Sequence, residues 1–122
     1  ASHPRTAIIG HPTGRLLLTR EPYAIDMEAV LARAGALGVA VELNADPHRL
    51  DLDWRQAMRA RAHGARIAIG PDAHSVDGLE NITLGLGMAR KAHLGPADVL
   101  NTLDTDALVA FAARRRIARA SA

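Results

Sequence analysis

Arg66-Ile67-Ala68-Ile69-Gly70-Pro71-Asp72-Ala73-His74-Ser75 is the stretch whose reading decides the fold. A short apolar run carrying β-branched Ile67 and Ile69 predicts a buried strand, and Gly70-Pro71 ends it. An Asp-x-His pair follows at once. If the backbone stays extended there, Asp72 and His74 lie two positions apart and their side chains point the same way. A carboxylate and an imidazole at the carboxyl end of a strand stand where α/β enzymes keep their chemistry. Taken singly, the pair is equally a turn-capping Asp and a solvated loop His.

The same arrangement occurs twice upstream. Thr6-Ala7-Ile8-Ile9-Gly10 reads as a buried strand, with His11-Pro12-Thr13-Gly14-Arg15 directly after it. Val39-Ala40-Val41-Glu42-Leu43-Asn44 reads as another, with Glu42 near its end. A carboxylate within an apolar strand is costly unless paired or metal-bound, so Glu42 reads either as standing beside or behind something positive or as reaching solvent at an edge. Between these strands the period changes to that of helices. Asp26 is placed to cap a helix with Met27, Val30, Leu31, Ala34 and Leu37 on one stripe, and Gly38 ends it. Asp53 is placed to cap a second helix, Trp54 to His63. A third helical run is expected from about Leu79 to Ala92, where Gly85 and Gly87 imply a bend or close packing. Gly95-Pro96 opens a short turn, and Asp104 caps a last helix toward Arg114.

Strands alternating with helices predict a parallel sheet in an α/β fold. Three strands, near 6–10, 39–43 and 66–70, would then present His11, Glu42-x-Asn44 and Asp72-x-His74 on one rim. His and Asp without Cys form a donor set suited to Zn, Mn or Fe in a hydrolytic site. The segment from Pro12 to Ile25 is longer than the usual connection of about 2–6 residues, and long loops at strand ends commonly hold function. Arg15 and Arg20 within it could clamp an anionic group, although each alone also reads as a surface charge. His3, His63 and His93 read as surface residues.

Composition narrows the function classes. The chain has 122 residues with no cysteine, which excludes disulfides and thiolate metal sites. Neither a membrane-length apolar run nor a leader-like opening is found, and the cytoplasm is the expected location. Tyr23, Trp54 and Phe111 are its only aromatic residues, so the core is aliphatic. The net charge is +2, with Lys91 the single lysine. Arg55, Arg59 and Arg61 crowd one segment and Arg114, Arg115, Arg116 and Arg119 another. Such clusters could meet phosphates, but they lack the interleaved aromatics of single-strand binders.

His11-Pro12-Thr13-Gly14-Arg15-Leu16-Leu17, Glu42-Leu43-Asn44, Arg49-Leu50-Asp51-Leu52 and Asp72-Ala73-His74-Ser75 together resemble the polymerase and histidinol phosphatase (PHP) family. The likeness is greatest to the carboxyl-terminal PHP domain of bacterial family X DNA polymerases. It continues through Gly85-Leu86-Gly87, Ala89-Arg90-Lys91 and Val99-Leu100-Asn101-Thr102, covering nearly the whole chain. The resemblance implies the carboxyl-terminal part of a distorted (β/α)7 TIM-like barrel, residues 1–122 forming one partial domain with its last three strands. It implies a phosphoesterase of the 3′–5′ exonuclease type, dependent on divalent Mn or Zn, with up to three ions in the complete domain.

By that resemblance His11, Asp72 and His74 are catalytic metal ligands, each to a different ion. Glu42 and Asn44 would support them from behind. Arg15, Arg20 and Arg49 are candidates for the substrate phosphate. The family's opening His-x-His and further His and Glu ligands are missing from these residues, so the chain is expected to supply part of a site. Expected partners are a phosphoester substrate such as a DNA 3′ end, the remainder of the barrel and the polymerase domains. A scaffold without catalysis, or a small-molecule phosphatase of the histidinol phosphatase type, is the alternative. Three strands alone would leave sheet edges and apolar helix faces uncovered, favouring self-association.

Overall fold

The computed structural model describes residues 1–120, with side chains as far as Arg114. Arg115, Arg116 and Arg119 of the expected basic cluster therefore lie outside the described side chains. The elements run β1 (Ile8–Ile9), α1 (Met27–Leu37), β2 (Ala40–Asn44), α2 (Trp54–Ala62), β3 (Ile67–Gly70), α3 (Ile82–Lys91) and α4 (Thr105–Ala120). Short 3-10 turns at Asp77–Asn81, Pro96–Asp98 and Leu100–Thr102 link the last three. The strands form one parallel sheet in the order β1-β2-β3, as the alternating pattern predicts. The expected third helix is shorter than its sequence pattern, because Asp77–Asn81 winds as a 3-10 segment before α3 begins.

The helix boundaries follow from local chemistry. The Asp26 carboxylate accepts the Ala29 N–H at 3.0 Å, and Gly38 leaves α1 at φ 64°. Asp53 and Gln56 form a reciprocal capping box on α2.

The sheet has two unlike faces because side chains alternate along each strand. Val41, Leu43, Ile67 and Ile69 are buried against Leu31 and Ala34 of α1, Ala57 and Ala60 of α2, and Ala89 of α3. Gly85 lets α3 approach closely: a Cβ there would stand 2.5 Å from Ile69 Cγ2 and 2.9 Å from the Ala45 methyl. Gly87 meets nothing within 4 Å, so of the two helix glycines Gly85 makes the close packing. Among the described residues no helix covers the opposite face in the same way. Ile8 is 45% exposed there, and Glu42, Ala68 and Gly70 line a groove of about 310 Å³ with Leu100, Asn101 and Leu108.

The edges are not equally open. Asn101 pairs with the free edge of β3 as a strand would: its Oδ1 accepts the Ile69 N–H at 2.8 Å and its Nδ2 donates to the Ile69 carbonyl at 2.9 Å. Val99 adds a parallel bridge to Ile67. The expectation of two uncovered edges is corrected for β3, since a side-chain amide can present the donor and acceptor of a peptide group. No helix is long and apolar enough to cross a membrane among the described residues.

Replacing Asn101 with Ala should destabilise the fold by about 1–3 kcal/mol, the cost of orphaning buried backbone groups. Denaturant unfolding measures the difference. Amide exchange should show Ile69 N–H losing protection more than Leu43 N–H in the sheet's centre.

Candidate active site

Parallel pairing brings the carboxyl ends of all three strands to one rim. β1 runs into His11, β2 ends at Asn44, and β3 runs into Pro71 and Asp72. The backbone is unusual along this rim. His11, Leu50 and Asp72 all take positive φ, at 26°, 45° and 53°. Asp72 is therefore not extended, and the premise that alternation aligns it with His74 does not hold. Instead the chain folds back, and His74 Nδ1 lies 2.7 Å from the Asp72 carbonyl oxygen. A carbonyl only accepts, so Nδ1 carries the proton. In the neutral ring Nε2 then keeps its lone pair for a ligand.

The Asp72 carboxylate is held from two sides, both on Oδ2. Asn44 Nδ2 donates to it at 3.0 Å, and Arg49 Nε approaches at 3.4 Å. Asn44 is almost completely buried, and its Oδ1 accepts the Asp46 N–H at 3.0 Å, which fixes the amide's orientation. Glu42 accepts the His11 backbone N–H through Oε2 at 2.6 Å. It sits between strand-end glycines: a Cβ on Gly70 would come within 2.9 Å of Glu42 Oε1. The hydrogen-bond partner that Glu42 has here is thus a backbone amide.

The arginines proposed for phosphate are engaged with the protein. Arg15 donates from Nε to the Arg49 carbonyl at 2.9 Å and from Nη2 to the Leu50 carbonyl. Arg20 donates twice to the Gly14 carbonyl, at 2.9 and 2.6 Å, and lies 6.0 Å from the Tyr23 ring centroid. Arg49, beside Asp72, is the one of the three in contact with a candidate ligand.

Asp46 shapes the loop that carries Arg49. Burial raises its carboxyl, but hydrogen bonds from the His48 backbone and ring and the charges of His48 and Arg49 outweigh this, leaving it below its ordinary value. Its carbonyl accepts the Arg49 and Leu50 N–H groups, each at 2.9 Å.

Among the described residues no three His, Cys, Asp or Glu side chains converge to hold a metal ion. His11, Asp72 and His74 share a rim without forming one coordination sphere. Their donors, an anchored carboxylate and imidazoles with no thiolate, suit Mn or Zn.

No family model matches the chain. Over 107 residues, 88% of its length, it is 38% identical to the DNA polymerase/3′–5′ exonuclease PolX of Bacillus subtilis (strain 168). That likeness supports the resemblance of the chain's motifs to the carboxyl-terminal PHP part of the family X DNA polymerases. It spans 19% of that relative.

One supporting residue of this rim escapes residue-by-residue reading. Asp51 is completely buried, and its carboxylate accepts the Thr13 N–H at 3.0 Å and the Gly14 N–H at 3.1 Å. Its backbone also exchanges two hydrogen bonds with Asn44. The available signal is an acid set between Leu50 and Leu52, where burial demands a partner.

Two outcomes test this geometry. Asp51→Ala should cost roughly 2–4 kcal/mol, because it removes charge-assisted bonds to two buried amides, as equilibrium unfolding will show. A carboxyl lowered by folding stabilises above its unfolded pKa, and that contribution is lost as pH falls through the folded value. The stability gap between wild type and Asp46→Ala should accordingly narrow as pH falls below about 4, read from denaturant midpoints between pH 5 and 3.

Proposed function

We propose that this chain is part of a metal-dependent phosphoesterase domain of the 3′–5′ exonuclease type. Residues 1–122 would contribute three strands of a distorted seven-stranded TIM-like barrel, completed by the rest of a longer polymerase. The carrying observation is the paired anchoring at the β3 end. Asn44 and Arg49 hold the Asp72 carboxylate, and the Asp72 carbonyl sets the His74 tautomer with Nε2 as its free lone pair. That is the arrangement by which outer groups orient metal ligands. The relative's name, a 3′–5′ exonuclease, and the three-strand rim support the same reading.

In this reading Asp72, His74 and His11 hold divalent ions, Mn or Zn. When bound, such ions polarise a phosphoryl oxygen and lower the pKa of a coordinated water. The chain's own groups do the positioning. Asn44 keeps Asp72 in place through one oxygen, and Glu42 fixes the backbone from which His11 projects. Arg49 places a positive charge beside Asp72, where an anionic substrate would approach. The substrate is a phosphoester, with a DNA 3′ end as the form the family implies. His11, Asp72 and His74 would serve different ions, so the isolated chain is expected to bind metal weakly and hydrolyse poorly.

The test uses the full-length parent protein with Mn²⁺, 3′-labelled oligonucleotide and p-nitrophenyl phosphate. Asp72→Asn and His74→Ala should each lower turnover by more than about a hundredfold, and Asn44→Ala by about 10–100-fold as an outer partner, with unfolding midpoints of the first two near wild type. Full activity in both ligand variants would overturn the assignment.

A further inference from the structure

Leu17 and Leu18 break two local rules in the loop that follows β1. Leu18 has a relative accessibility of 109%, and its φ of 62° is a left-handed conformation that costs a branched aliphatic residue about 1–2 kcal/mol. Leu17 beside it is also exposed. The turn that carries them is nonetheless built. Leu16 and Arg20 exchange two backbone hydrogen bonds, at 3.0 and 2.7 Å, and the Leu17 N–H reaches the His48 carbonyl at 2.6 Å. Arg15 and Arg20 clamp its two flanks to the Arg49, Leu50 and Gly14 carbonyls. Tyr23 packs under Gly14, where a Cβ would lie 2.1 Å from the ring. A cleft of about 390 Å³, open to solvent, runs along Arg15–Pro22. Through Arg49 the whole assembly connects to Asp72.

We propose that Leu17 and Leu18 form an apolar platform for the terminal nucleobase of a nucleic-acid 3′ end whose phosphoester the Asp72–His74 rim takes. This rests on the phosphoesterase reading above. A nucleotide carries an apolar π-face one sugar away from its phosphate, so a site for both needs an aliphatic or aromatic surface beside a phosphate-binding rim. The cationic groups around the turn, Arg15, Arg20 and Arg49, favour a polyanion. Two leucine side chains fall far short of the roughly 1,000 Å² that a specific protein–protein contact buries. Rigid preorganisation lowers the ordering cost of binding a small moiety such as one base.

The experiment compares the full-length protein with its Leu17→Ser/Leu18→Ser variant in Mn²⁺ on three substrates. These are an oligonucleotide with an intact 3′ base, the same strand with an abasic 3′ nucleotide, and p-nitrophenyl phosphate. The ratio of oligonucleotide to p-nitrophenyl phosphate kcat/KM should fall about tenfold in the variant, the scale of burying one small apolar surface. The corresponding ratio for the abasic strand should not fall. An unchanged ratio for the intact strand overturns the proposal, as does an equal fall for both strands. A change in sedimentation with unchanged ratios would make the turn a protein-docking surface and also overturns it. If wild type hydrolyses none of the three, the phosphoesterase reading has failed on its own account. Fluorescence anisotropy then still reads the platform: the variant's Kd should rise about tenfold for the intact strand alone, and equal Kd values overturn it.

Discussion

A single buried carboxylate joins the two loops from which the rim is made. Asp51 has no exposed surface, and its charge is compensated by the N–H groups of Thr13 and Gly14, 38 and 37 residues away in sequence. A buried carboxylate left without donors would be strongly destabilising, so the chain can bury Asp51 only with the Pro12–Arg15 turn in place. That turn determines where His11 leaves β1. The backbone of Asp51 pairs with Asn44, the residue that holds Asp72. One interaction thus couples the ends of all three strands.

The charged side chains on this side of the molecule mainly fasten main chain. Arg15 and Arg20 serve carbonyls, Glu42 serves the His11 amide, and Asp46 serves the amide of His48. Loops at strand ends have few backbone partners of their own, and buried peptide groups must find them elsewhere. The result is a rim whose irregular backbone, with His11, Leu50 and Asp72 at positive φ, is fixed from several directions. Strain of this kind persists where the surroundings over-determine it, and it gathers at functional sites.

The sheet's two faces divide the labour. One is sealed by small and aliphatic residues on three helices, with Gly85 allowing the closest approach. The other carries Ile8, Glu42 and Ala68 along an open groove. A carboxylate is tolerable on the central strand because it lies beside the rim, between Gly10 and Gly70, with a donor in reach.

Much of this was legible in the order of residues. Period-2 and period-3.6 patterns determine where Ile8–Ile9, Ala40–Asn44 and Ile67–Gly70 alternate with helices, because burial on one face dictates both periods. Asp26, Gly38 and Asp53 mark helix ends through bonds made within a few residues. That His11, Asn44 and Asp72 share a rim also follows, since parallel strands place like ends together. Only the tertiary structure decided how these groups face one another. The left-handed backbone at Asp72 removes the extended geometry on which the expected alignment with His74 rested. Arg15 binds the Arg49 and Leu50 carbonyls, and Asn101 closes the β3 edge with its amide. Each of these depends on a partner distant in the chain or on one residue's φ, and neither is encoded in local periodicity. A sequence states which groups are present, whereas their hydrogen-bond partners are selected only when the chain is packed.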